Sequence, residues 1–85
     1  MEDIAGTVKA FILEEFLPGE DPSQLEDTTP LISGGILDSL ATLKLVTFLE
    51  ERFDIKIEPH QTDEEYLGTV SRIVQLVQSQ LQLAS

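Results

Sequence analysis

Residues 38–53 read DSLATLKLVTFLEERF, and the reading of this stretch decides the fold. At about 100° per residue, Thr42, Leu45, Val46, Leu49 and Phe53 fall within an arc of roughly 100°. That is the apolar stripe of a helix packed by one side against a core. Asp38 is a good N-cap, because its carboxylate can accept a free N–H of the first turn. The helix is therefore predicted to start at Asp38 and end near Phe53. Leu40, Leu43 and Thr47 cluster on roughly the opposite side of the wheel, beside Lys44 and Glu51. A purely structural helix carries charge there. Two readings remain open: scattered exposed leucines, common on protein surfaces, or a docking surface for partner proteins anchored by Leu40 and Leu43.

Working outward, Ile4, Val8, Phe11, Ile12 and Phe16 have helical spacing, with Glu2, Lys9, Glu14 and Glu15 on the other side, so a first helix is predicted from about Asp3 to Leu17. Gly6 weakens it by roughly 1 kcal/mol relative to alanine, and Pro18 and Gly19 end it. A connection of about 20 residues from Pro18 to Leu37 is long for so small a domain. Leu25, Leu31, Ile32, Ile36 and Leu37 are expected to pin it to the helices. Beyond Asp54, Ile55 to Ile57 reads as a short extended link, broken by Pro59 and His60. Thr62 and Glu65 have capping-box spacing for a short third helix, which Gly68 stops. Thr69 can cap a last helix whose apolar stripe is Val70, Ile73, Val74, Val77 and Leu81, with Gln75, Gln78 and Gln82 outside. The fold class that results is all-α, a small four-helix bundle of three main helices and one short one with a long loop between helices 1 and 2. The whole of residues 1–85 is expected to be one domain.

Composition removes several classes of function. The chain has 85 residues and a net charge of −11, which disfavours nucleic acid and anionic membrane as partners. Cysteine is absent, which excludes disulfides, thiolate zinc sites and cysteine nucleophiles, and the single His60 excludes a histidine metal cluster. Glu20, Asp21, Glu26 and Asp27 do not follow the EF-hand order, and Gly34–Gly35 lacks the Gly-Lys-Ser/Thr ending of a phosphate loop. No metal site is expected. Glu2 and Asp3 stand where a signal peptide has its basic region, so a cytoplasmic protein is expected. The charge is also uneven: residues 1–37 carry eight acids and one base, whereas residues 38–53 carry three acids and two bases.

Ser39 follows the N-cap directly, where N–H groups point outward and the helix dipole is positive. A phosphate is stabilised at such a place. No general base stands near it in the sequence, since Asp38 serves as the cap, so Ser39 is a poor nucleophile by itself and a good acceptor for a phosphoester made by another enzyme. An ordinary first-turn serine is the alternative.

The run Gly34–Gly35–Ile36–Leu37–Asp38–Ser39–Leu40 resembles the phosphopantetheine-attachment motif of acyl carrier proteins. Leu45–Val46, the stretch Leu49–Glu50–Glu51–Arg52–Phe53–Asp54–Ile55–Lys56–Ile57, and Thr69–Val70 are similar to the later helix ends and starts of that family, so the resemblance runs from Ile4 to Leu81. It implies that Ser39 receives 4′-phosphopantetheine from coenzyme A through a phosphopantetheinyl transferase with Mg²⁺. Asp38 and Leu40 match the acidic and apolar neighbours of the family's serine. It further implies that the chain is not an enzyme but a carrier. It would hold acyl, aminoacyl or peptidyl groups as thioesters for loading and processing enzymes, acting as a monomer. Leu40, Leu43, Lys44 and Thr47 would form the recognition face. Fatty-acid carriers often have acids where this chain has Ala41 and Lys44. The run Ile36 to Leu40 is more similar to free-standing carriers of polyketide, nonribosomal-peptide or aminoacyl pathways. A fatty-acid carrier and an unmodified acidic interaction module remain as alternatives.

Overall fold

The computed structural model describes residues 3–19 and 25–84, with the side chains of residues 83 and 84 left aside. Among the described residues four α-helices follow one another: α1 at Ile4–Phe16, α2 at Ser39–Phe53, α3 at Glu64–Leu67 and α4 at Val70–Ala84. A 3-10 turn at Pro59–Gln61 precedes α3. No strand occurs among the described residues. The expected all-α bundle of three main helices and one short one is the observed one.

Short polar side chains set the helix starts. The Asp3 carboxylate accepts from the Gly6 N–H at 3.0 Å, that of Asp38 from the Ala41 N–H at 2.8 Å, and the Thr69 hydroxyl from the Arg72 N–H at 3.2 Å. Each satisfies a donor that the helix cannot. Asp54 closes α2 in the left-handed region at φ 53°, which aspartate tolerates better than most residues. Glu50 then shapes the link beyond: its carbonyl accepts from the Ile55 N–H and its carboxylate from the Ile57 N–H. Ile55 and Ile57 are buried and Lys56 is exposed, as an extended link requires.

The predicted capping box of α3 is corrected by the structure. Its N-cap is Asp63, which accepts from the Glu65 N–H. The Thr62 hydroxyl donates to the Pro59 carbonyl instead. Thr62 closes the 3-10 turn, which periodicity does not reveal, and so is not available to the next helix.

The core gathers side chains from all four α-helices. α1 supplies Val8 and Ile12, α2 supplies Ala41, Leu45, Leu49 and Phe53, α3 supplies Leu67, and α4 supplies Val70, Ile73, Leu76 and Val77. Two stripes are rotated from their expected positions. In α2 the buried row is Ala41, Leu45, Leu49 and Phe53 at strict i, i+4 spacing, with Thr42 and Val46 half-buried. In α4 Leu76 is buried, whereas Val74 is half-buried and Leu81 is 37% exposed. The reason is tertiary. The sides of a helix that become core are decided by the neighbours it packs on, and a wheel centred on its own apolar residues carries no information about them. Gln75, Gln78 and Gln82 face solvent as expected.

Of the expected loop pins, Leu25, Leu31 and Leu37 are buried and Ile32 and Ile36 half-buried. The acids Glu20 and Asp21 lie outside the described residues. Backbone bonds tie the loop to the junction of α3 and α4: the Leu31 N–H donates to the Gly68 carbonyl at 2.7 Å and the Ser71 N–H to the Asp27 carbonyl at 3.0 Å. Lys9 of α1 pairs with Asp27. The Gly35 N–H turns back to the Ile32 carbonyl with φ +83°, a conformation that favours glycine. That turn delivers Leu37 to the core and Asp38 to the start of α2.

Gly68 is buried, and a Cβ there would press on the Glu64 carbonyl oxygen. Gly68→Ala is therefore expected to cost about 1–3 kcal/mol, as overpacking does. A melting curve checks this: Tm should fall by several degrees.

Candidate functional site

Ser39 is the first residue of α2 and is exposed. Asp38 holds the Ala41 N–H through its carboxylate and the Thr42 N–H through its carbonyl. The N–H groups of Ser39 and Leu40, which have no carbonyl one turn back, meet no acceptor among the described residues. Two free donors and the positive end of the helix dipole thus stand at the Ser39 hydroxyl, an arrangement suited to a phosphate ester.

Beside Ser39 lies a groove of about 580 Å³ lined by Ile32, Leu37, Asp38, Ser39, Thr42, Thr62, Asp63 and Glu64. Its floor comes from the loop and its two walls from the heads of α2 and α3. It combines apolar, hydroxyl and carboxylate groups and is open to solvent. A flexible arm bearing amides and a short apolar stem, as phosphopantetheine does, fits such a lining. Thr42 enters it because it stands one turn after Ser39, half-buried rather than in the core.

The residues expected to recognise partners are all at the surface. Leu40 and Leu43 are each 62% exposed, which is far more than a core-serving helix leaves to water. Lys44 and Thr47 are exposed too, and the Thr47 hydroxyl is occupied within the helix by the Leu43 carbonyl at 3.0 Å. These residues do not share the Ser39 groove. Leu40 and Lys44 border a hollow of about 290 Å³ with Glu15, Phe16 and Ile36. Leu43, Lys44 and Thr47 line another of about 470 Å³ with Phe11, Glu15, Phe48 and Glu51. Sequence reasoning missed Thr62 and Asp63 beside Ser39, and Phe48 on the far side of α2. Spacing alone could have offered Thr42; the others are joined to the site only by the tertiary fold.

His60 is exposed and its ring meets that of Tyr66 edge-on at 6.3 Å, away from the groove lining. Among the described residues no group of His, Asp and Glu is arranged to hold a metal ion. No helix among them is long and apolar enough to cross a membrane.

Comparison with known proteins agrees with this geometry. A family profile described as "Phosphopantetheine attachment site" matches residues 12–77. The chain is 36% identical over 73 residues to the D-alanyl carrier protein of Streptococcus sanguinis, covering 86% of this chain and 89% of the relative. It is 38% identical over 71 residues to the D-alanyl carrier protein of Streptococcus uberis, covering 81% and 89%. Its fold matches a chain in a solved structure described as "Crystal structure of FAD-dependent dehydrogenase", with TM-score 0.75 and 30% identity over 82% of this chain and 97% of that one. That matched chain is therefore shorter than the present one. From the profile match across most of its length, and from relatives that it covers nearly end to end, the chain belongs to the phosphopantetheine-attachment family of carrier proteins.

Proposed function

We propose that Ser39 is the residue that bears the 4′-phosphopantetheine group and that residues 1–85 form one carrier domain. The observation that carries this reading is the exposed Ser39 hydroxyl at the head of α2, with two free N–H donors beside it and an open groove alongside. When attached, the group supplies a terminal thiol on which a carboxylic acid is held as a thioester. The chain's own part is to fix the phosphoester with the Ser39 and Leu40 N–H groups, to hold the helix start rigid through Asp38, and to present Leu40, Leu43, Lys44 and Thr47 to the enzymes that load and process the cargo. The chain itself catalyses nothing in this reading and serves as a cytoplasmic monomer.

An aminoacyl cargo is the reading best supported, since the D-alanyl carriers match nearly end to end. Intact mass after incubation with coenzyme A, Mg²⁺ and a broad-specificity phosphopantetheinyl transferase tests the core of the proposal. One phosphopantetheinyl group should be gained, and a chain of unchanged mass would sink it.

Lys44 tests the distinction from fatty-acid carriers. It is exposed on the recognition face, where an acid would meet basic enzymes. Lys44→Glu is expected to raise the rate of loading by a fatty-acid malonyl transferase by up to about fivefold, the scale of one rim charge. An unchanged rate counts against the argument.

A further inference from the structure

Leu31 does not line the Ser39 groove, yet its peptide group is bonded toward both walls. Its N–H donates to the Gly68 carbonyl at 2.7 Å, and its carbonyl accepts from the Leu37 N–H at 2.9 Å. The first bond holds the residue that ends α3, and Asp63 and Glu64 at the head of α3 form one wall. The second bond holds the residue before Asp38, the cap from which α2, the other wall, starts. Ile32, next to Leu31 in the chain, and Leu37 complete the lining between them. Leu31 and Gly68 are both buried. Breaking their bond therefore strands polar groups where water does not replace the partner.

The α3 wall is fixed from the other side as well. With four residues, α3 is too short to persist as a helix by itself. The Arg72 guanidinium of α4 donates to the Glu65 carbonyl at 3.0 Å, so α3 rides on α4. Leu31 is where that unit meets the segment leading to Ser39. The bond from the Ser71 N–H to the Asp27 carbonyl also ties the loop to α4, but it lies ahead of Pro30 and reaches neither Ile32 nor Leu37. We propose that Leu31 is a positioning residue for the arm on Ser39: its two backbone bonds set the separation of α2 from α3, and with it the width of the groove in which the arm rests. It acts through Ile32, Leu37 and Gly68 and touches no part of the arm. The buried side chain keeps the peptide group away from water, and the peptide group carries the role. This rests on the preceding proposal that the arm stands on Ser39.

The test replaces Leu31 by its α-hydroxy analogue in the chemically synthesised full chain. An ester then stands in place of the Pro30–Leu31 amide; the N–H is lost and the side chain is kept. Two controls accompany it. One is the α-hydroxy analogue of Lys56, whose N–H meets no acceptor among the described residues. The other is Ile12→Val, a change at a buried site of α1 that lowers stability on a similar scale without touching the loop. Each chain is loaded by the transferase and observed by NMR. In the parent, the arm's methyl groups should show nuclear Overhauser contacts to Ile32, Leu37 and Thr42. In the Leu31 ester the ratio of docked to free arm is expected to fall by about fivefold, the scale of one backbone hydrogen bond. Both controls should keep the parent's ratio. By reciprocity, loading the parent should slow exchange of the Leu31 amide hydrogen by up to about fivefold. That measurement needs no variant and decides the proposal even if the ester chain does not fold. An unchanged exchange rate, an arm that ignores the ester, or an equal loss of contacts in Ile12→Val would overturn the proposal, as would a parent arm without contacts in the groove. Intact mass is measured first. A chain that takes no group on Ser39 fails the preceding proposal and this one with it, whereas a loaded chain that gives any of the contrary results fails this one alone.

Discussion

Leu45→Ala is expected to remove about 2–5 kcal/mol of folding stability, whereas Leu43→Ala, two residues earlier on the same helix, is expected to change it by no more than about 0.5 kcal/mol. Leu45 is fully buried and Leu43 is 62% exposed. Truncating the first leaves a cavity between α2 and its neighbours, and truncating the second removes surface that water already reaches. Small domains have total stabilities of only about 5–15 kcal/mol, so the Leu45 variant loses a large share. With Tm moving roughly 4–8 °C per kcal/mol at this size, its melting midpoint should fall by about 10 °C or more. The pair also separates the two faces of α2 in function. The Leu43 variant should remain folded yet load more slowly from partner enzymes, while the Leu45 variant should lose both properties. Equal thermal shifts for the two would contradict the two-faced helix.

Ser39→Ala is expected to abolish attachment of the phosphopantetheinyl group completely. The effect is all-or-none because the serine hydroxyl oxygen becomes the ester oxygen of the phosphodiester, and alanine has no atom to replace it. Folding should survive, since Ser39 is exposed and makes no side-chain hydrogen bond that holds the helix start; Asp38 does that work. Ser33 is the nearest other serine and is also exposed, but it sits in the loop turn without a helix N-terminus. Circular dichroism of the variant should match that of the parent chain while its mass stays unloaded.

What the sequence disclosed and what it withheld divide along the range of the interactions. The head of α2 was legible because an N-cap aspartate, a first-turn serine and a 3.6-residue period are local properties of residues 38–53. The exposure of Leu40 and Leu43 was legible for the same reason, as the apolar residues left over from the core stripe. The choice of Ala41 over Val46 for the buried row, and of Leu76 over Leu81, was not, because neighbouring helices decide it. Thr62 was read as a cap because a 3-10 turn at Pro59–Gln61 leaves no periodic mark. The groove over Phe11 and Phe48 needs two rings from residues far apart in the chain to stack, and nothing in the spacing of either helix announces that. The tie from Leu31 to Gly68 is a backbone contact and depends on no side-chain pattern at all.

Peptide mapping by mass spectrometry, after treatment with coenzyme A, Mg²⁺ and a phosphopantetheinyl transferase, tests the central claim most directly. The account predicts a single phosphopantetheinyl group on the peptide containing Ser39, localised to that side chain and missing from Ser39→Ala. A group found on Ser33 or any other residue, a group that persists in Ser39→Ala, or no group on the folded chain would contradict it.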